Sequence, residues 1–305
     1  MCAACNIYIS EGKDTSILDK IQSVPKQKSD VILGNVFIDE TYNRTGLTVV
    51  GKTVQSIVNV AVDVADMALS LIDLTMHKAT HPRLGVVDHI SCHPLTPPHV
   101  PLEMASDAAR GIAERLGSGE RAVPVYIYGH ASRGLDASLG NKDGEIGLAD
   151  IRRHFSYFSA NEEESWEGCI QEDEYLASFP PACGPLHVHP QRGIACVGSV
   201  PWVVNHNVLL DTRDVTVAKG IARLVRETGG GLKSVQAMGL VAKDGVEVAC
   251  NLLDENVSSP AKVDKMIRQL ATERGIKVLN SYQTGKSVHD LLRLQDVWMN
   301  IDERV

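Results

Sequence analysis

Val235-Gln236-Ala237-Met238-Gly239-Leu240-Val241 and Val246-Glu247-Val248-Ala249-Cys250-Asn251-Leu252 are two apolar, β-branched runs with a short polar bend between them. That is the pattern of two paired strands. Upstream, Ile194–Val197 and Trp202–Val204 are strand material, and Val215–Thr228 repeats apolar residues at helical spacing before Gly229-Gly230-Gly231 ends it. Downstream, Ala261–Glu273 reads as a helix and Lys277–Leu279 as a short strand, followed by a last helix carrying Val288, Leu291, Leu292 and Leu294. A strand followed by helix, strand, strand, helix and strand is the βαββαβ order of a ferredoxin-like unit.

The first half echoes this order. Cys5–Ile9 reads as a strand and Thr15–Val24 as a helix, and Val31–Phe37 with Leu47–Val50 reads as a strand pair. Between Thr53 and Met76, Val54, Ile57, Val60, Val64, Met67, Leu71 and Leu74 recur at three- and four-residue steps, the stripe of a core helix. Gly85–Ser91 and Val123–Tyr128 read as further strands and Leu102–Leu116 as a helix. Ser132 to about Ala182, with its glycines, acidic run and Pro180-Pro181, reads as a linker region with one helical piece near Leu148–Phe158. The expected class is therefore α/β (α+β): two ferredoxin-like subdomains, residues 1–183 and 184–305, with a groove between them.

Composition narrows the function classes. The 305 residues carry a formal charge of −8, and Lys and Arg form no dense run. A phosphate-backbone binder displays a basic face, so nucleic acid is not an expected partner. No apolar segment approaches the roughly 20 residues that span a bilayer, and no presequence is visible, which points to a cytoplasmic protein. Seven scattered cysteines fit reduced thiols better than a disulfide framework. Cys2 and Cys5 form a lone CxxC without a second pair.

The densest cluster of reactive side chains is His77-Lys78-Ala79-Thr80-His81-Pro82-Arg83-Leu84-Gly85-Val86-Val87-Asp88-His89. Pro82 and Gly85 punctuate it, so a tight connection carries His81 and Arg83 toward the next strand. Histidine titrates near neutrality, and beside an arginine it suits proton transfer at a bound anion. The competing reading is a helix-end histidine satisfied by backbone. His77/His81 and His89/His93 have the four-residue spacing of helical metal ligands, but prolines follow both pairs and no metal is expected. A second cluster, Gly184-Pro185-Leu186-His187-Val188-His189-Pro190-Gln191-Arg192-Gly193, is a stiff loop able to present amides to a planar ligand, or a plain connector. Asn43-Arg44-Thr45 opens a strand, and Arg44 offers a planar fork for carboxylates.

Taken together these segments resemble the formiminotransferase domain of glutamate formiminotransferase and of formiminotransferase-cyclodeaminase. The resemblance rests on Ser10-Glu11-Gly12, Asn43-Arg44-Thr45, His81-Pro82-Arg83-Leu84-Gly85, Val123-Pro124-Val125-Tyr126, Gly184-Pro185, Val235-Gln236 and Asn251-Leu252-Leu253-Asp254, in the same order. It implies a dimer of two-subdomain chains and transfer of a formimino group from N-formimino-L-glutamate to N5 of tetrahydrofolate, a step of histidine degradation and one-carbon metabolism. His81 would be the catalytic histidine. Asn43, Arg44, Arg83 and Asp88 would serve the substrate, and Gly184–Gly193 the folate. No cyclodeaminase domain is expected after Val305, as in plant-type formiminotransferase-like proteins. The chain departs from the enzymes' pattern at Ile7 and Tyr8, where they carry Pro and Asn. It departs again at Asn35-Val36-Phe37, where they carry Asp-x-Asp, and at Val188 and Arg192, where they carry aromatics. Those departures motivate a second reading, a folate-binding or scaffold protein that kept the fold and lost the chemistry.

Overall fold

The computed structural model describes residues 3–96, 101–135, 144–159, 165–168 and 174–302. It divides into two compact units, Met1–Val200 with Val288–Val305, and Pro201–Ser287. In the first unit, β1 (Ala3–Ile9), α1 (Thr15–Lys26), β2 (Val31–Asp39), β3 (Arg44–Gly51), α2 (Val54–Leu71), β4 (Lys78–Ala79) and β5 (Val87–Pro94) come first. They are followed by α3 (Leu102–Ser118), β6 (Val125–Gly129), α4 (Leu148–His154), β7 (Trp166–Glu167), α5 (Glu174–Ser178) and β8 (Ala195–Ser199). Six strands form one sheet in the order β2-β3-β1-β5-β8-β6. Each of the first four is antiparallel to the next, whereas β8 runs parallel to both β5 and β6.

α1, α2 and α3 cover one face of this sheet. α2 starts at a reciprocal cap, with Ser56 N–H donating to Thr53 Oγ1 (3.0 Å) and Thr53 N–H to Ser56 Oγ (2.9 Å). It stops at Leu71 instead of running to Met76, because Asp73 accepts the Thr75 N–H and opens a separate turn at Leu74–Met76. By length and composition α2, 18 residues with a mean hydropathy of 1.4, could cross a bilayer. Ile57, Val60, Ala61, Val64 and Ala68 are nevertheless fully buried against the sheet and α3, as in a core helix. Each such aliphatic side chain larger than alanine contributes about 1.5–3 kcal/mol by leaving water.

The second unit contains β9 (Val204–Leu210), α6 (Val215–Val225), β10 (Val235–Ala242), β11 (Gly245–Leu252), α7 (Pro260–Thr272) and β12 (Val278–Gln283). Its sheet runs β10-β11-β9-β12 with every neighbour antiparallel. β2-β3-β1-β5 of the first unit repeats this order and these directions. A last helix, α8 (Val288–Asp302), returns to the first unit and packs on β2.

Besides the earlier end of α2, three features differ from the sequence reading. β9 continues past Val204 to Leu210, because Asn205, His206 and Asn207 interrupt the apolar run without breaking the alternation that buries Val204, Val208 and Leu210. The described residues between Ser132 and Ala182 are not a linker. Ile146, Ile151, Phe155, Tyr157, Leu176 and Phe179 pack on Tyr126 and Tyr128 of β6 as a third core cluster, although residues 136–143, 160–164 and 169–173 lie outside the description. Finally, the units divide at Val200/Pro201 and not at 183/184, because β8 is hydrogen-bonded between β5 and β6.

Candidate active site

Strand alternation decides which side chains are free of the helical core. Cys5, Ile7 and Ile9 of β1, Leu47 and Val49 of β3, and Ile90 and Cys92 of β5 belong to the core under the helices. Their alternates Tyr8, Arg44 and His89 therefore share the opposite face, at adjoining positions of the β3–β1–β5 register. His89 stacks on Tyr8, ring centroids 4.3 Å apart and planes 14° from parallel, and the Arg44 guanidinium lies 4.6 Å from the Tyr8 ring centre.

At the centre is Asp88, 1% exposed. Its Oδ1 accepts the Leu84 N–H (2.8 Å), and its Oδ2 meets Arg44 Nη1 (3.1 Å) and Arg152 Nη2 (3.0 Å). Burial alone would raise the Asp88 pKa, but the two guanidiniums outweigh it and hold the carboxyl well below its usual range. Two arginines on one carboxylate leave one net positive charge. Among the described residues neither arginine has a second acid partner.

His81 stands in the turn between β4 and β5, half-buried beside Tyr42 and Tyr157. Its Nδ1 is 2.7 Å from the Pro82 carbonyl and 3.2 Å from Arg44 Nη1. The shorter contact, to an acceptor-only oxygen, requires Nδ1 to carry the proton, which leaves a lone pair on Nε2. No partner of Nε2 is recorded among the described residues. Burial and then Arg44 hold His81 well below its ordinary pKa, so the ring is neutral at pH 7.

The other expected residues divide. Arg83 is buried, and its Nη2 donates to the carbonyls of His77 (3.1 Å) and Gly168 (2.9 Å), which makes it a brace of the His81 turn. Asn43 holds φ 46° and accepts the Gly12 N–H (2.8 Å) on its side chain, shaping the bend that delivers Arg44. His77 Nε2 donates to the Asn43 carbonyl (3.0 Å), and among the described residues no three His, Cys, Asp or Glu side chains gather as a metal site.

The Gly184–Gly193 loop is tied to the His81 turn by its backbone. Val86 N–H donates to the Arg192 carbonyl (2.8 Å), Ile194 N–H to the Leu84 carbonyl (3.0 Å) and Leu74 N–H to the Gln191 carbonyl (3.0 Å). Leu186 and His187 are exposed at its tip. The strap needs glycine on both sides: a Cβ on Gly85 would lie 2.1 Å from the Ile194 carbonyl oxygen, and one on Gly193, whose φ is +70°, 2.3 Å from that of Leu84. Gly85→Ala is accordingly expected to cost on the order of 2–4 kcal/mol in urea unfolding and to shift the His81 ring resonances. Wild-type stability would disprove the strap.

Burial and Arg83 push His77 down to about 4, and burial with Arg152 and Arg44 pushes His89 down to about 3. Both are neutral in the fold yet accept a proton near pH 6.5 once unfolded. Their contribution is thus complete above about pH 6.5 and is lost as pH falls toward 4. Unfolding free energy should drop through that window by at most about 1.4 kcal/mol per pH unit for each histidine. A flat profile between pH 6.5 and 4 would contradict their burial as neutral rings.

The sequence reading missed Arg152, Tyr157 and the functional setting of His89. Arg152 sits on α4, its guanidinium 4.4 Å from the Tyr157 ring centre, inside the stretch read as a linker. The signal available was the helical piece Leu148–Phe158 itself.

Comparison with known proteins places this geometry. Residues 2–200 match the model of the formiminotransferase domain, N-terminal subdomain. A formiminotransferase cyclodeaminase-like protein of Arabidopsis thaliana is 37% identical over 290 residues, covering 93% of each chain. The glutamate formimidoyltransferase of Streptococcus pyogenes serotype M1 is 26% identical over 92% of this chain and 87% of its own. The formimidoyltransferase-cyclodeaminase of Mus musculus is 29% identical over 92% of this chain but only 49% of its own length. With the domain model matched over most of its length and a relative of that name aligned almost end to end, the chain belongs to the formiminotransferase family.

Proposed function

We propose that the protein transfers a formimino group from N-formimino-L-glutamate to N5 of tetrahydrofolate. The observation that carries this reading is His81, with Nδ1 tied to the Pro82 carbonyl, Nε2 left with a lone pair, and Arg44 in contact. N5 attacks the amidine carbon and Nε2 takes the N5 proton. The imidazolium then returns the proton to the glutamate nitrogen as the carbon–nitrogen bond breaks, and glutamate leaves. The surplus positive charge of Arg44, Arg152 and Asp88 favours a carboxylate-bearing substrate. Its arrival raises the His81 pKa toward the working range. Gly184–Gly193 serves the folate, the two units are ferredoxin-like, and the protein works as a cytosolic homodimer without a metal.

A single-turnover assay with labelled formiminoglutamate and tetrahydrofolate tests the reading. Label must appear on the folate in one equivalent per site, and none after many half-lives of the related reaction rejects it. One observation favours the folate-binder alternative: Phe37, paired with Gly46, falls on the face that carries Arg44 and sets a non-ionisable ring there. Under that alternative, tetrahydrofolate raises the melting temperature and formiminoglutamate does not.

A further inference from the structure

The stacked ring beside the central carboxylate has a role that proton transfer by His81 leaves unused. His89 Nδ1 lies 3.2 Å from Arg44 Nη2 and 3.1 Å from Arg152 Nη2, both obligate donors. The acceptor nearby, Asp88 Oδ2, is farther at 3.3 Å, already accepts an N–H from Arg152 Nη2 and is ion-paired with Arg44 Nη1. A proton on Nδ1 would face two N–H groups, so Nδ1 holds the lone pair and Nε2 the hydrogen. Among the described residues Nε2–H has no protein partner. It also does not count among the sealed, unsatisfied atoms, which include Arg152 Nε.

We propose that His89 is a fixed hydrogen-bond donor which, through Nε2–H, recognises a carboxylate of the acidic amino-acid substrate. The proposal rests on the formiminoglutamate reading and deepens it. Arg44 touches both imidazoles: its Nη2 donates to the bare His89 Nδ1, while its Nη1 lies beside the His81 Nδ1–H that the Pro82 carbonyl holds. The two rings then present opposite chemistry, a lone pair on His81 Nε2 and an N–H on His89 Nε2. Because Arg44 and Arg152 set the His89 tautomer, it stays a donor without becoming a charged acid that could compete for the transferred proton. A surplus positive charge next to a neutral donor selects an anionic oxygen over a cationic group. Tyr8, flat against the ring, fixes its plane.

Two variants separate donation from stacking. His89→Phe keeps a ring on Tyr8 and removes the donor, whereas His89→Gln loses the ring and restores an N–H near the position of Nε2. The probe is L-glutamate, titrated into the full chain at pH 7.5 and followed by ¹⁵N resonances of the imidazoles. The expected results are an Nε2–H tautomer for unliganded His89, a shift of that resonance on binding, and glutamate affinity about ten- to a hundredfold weaker in His89→Phe. His89→Gln should stay within a few-fold of wild type. A proton on Nδ1 overturns the donor assignment whatever the ligand. Unchanged affinity in His89→Phe overturns the proposal and leaves the formiminoglutamate reading standing. No glutamate binding by the wild-type protein overturns both.

Discussion

His81→Ala is expected to slow single-turnover formimino transfer by about 10²–10⁴-fold, the usual contribution of a positioned general base, with tetrahydrofolate affinity within a few-fold of wild type. The split follows from placement: His81 supplies a lone pair at the end of a turn and no part of the β3–β1–β5 platform, so its loss leaves the other groups in place. The pH profile gives an independent check. Because burial and Arg44 depress the pKa of the free ring, kcat/KM should hold its plateau into the acid range. The acid limb of kcat should lie at higher pH, since a bound carboxylate raises the same group. Near-wild-type turnover in His81→Ala, or an acid limb of kcat below that of kcat/KM, removes His81 from the mechanism.

Asp88→Ala should be the most destabilising change at the site, about 3–5 kcal/mol by denaturant unfolding, because it leaves two guanidiniums in a largely buried cluster without their anion. Removing Arg44 and Arg152 together with Asp88 should cost much less than the sum of the single changes, since no uncompensated charge remains. The proton linkage has a definite sign. Asp88 is depressed in the fold, so its stabilisation is complete above the ordinary carboxylate range near pH 4 and disappears as pH falls through its lower folded value. Wild-type stability in Asp88→Ala at pH 7 would mean that the ion cluster does not hold in solution.

The helices and most strands were legible because apolar periodicity is a local signal. Ile57, Val60 and Val64 announce α2, and Val246 to Leu252 announce β11. The placement of His81 in a tight connection was legible for a similar reason, since Pro82 and Gly85 punctuate the segment between β4 and β5. What sequence spacing could not supply was the partner of each arginine. Arg44 and Arg83 looked alike as carboxylate forks, yet strand alternation sends one to Asp88 and loop closure sends the other to backbone carbonyls. Arg152 was hidden because α4 earns its place only by packing Ile151 and Phe155 on β6, a contact between segments remote in sequence. β9 was cut short at Asn205 for a related reason: polar residues in a strand are read as its end unless the pairing that satisfies them is known.

The return of α8 to the first unit bears on where this protein can be cut. The matched domain model ends at residue 200, a natural place to stop a recombinant fragment. Such a fragment would discard Leu291, which is fully buried and sits over Gly34 of β2. Its edge strand would then present an uncovered apolar notch to other molecules, inviting self-association that α8 prevents by covering it. The second unit, by contrast, is one uninterrupted segment with its own core, so excising Pro201–Ser287 and rejoining the flanks respects the architecture better than truncating after it.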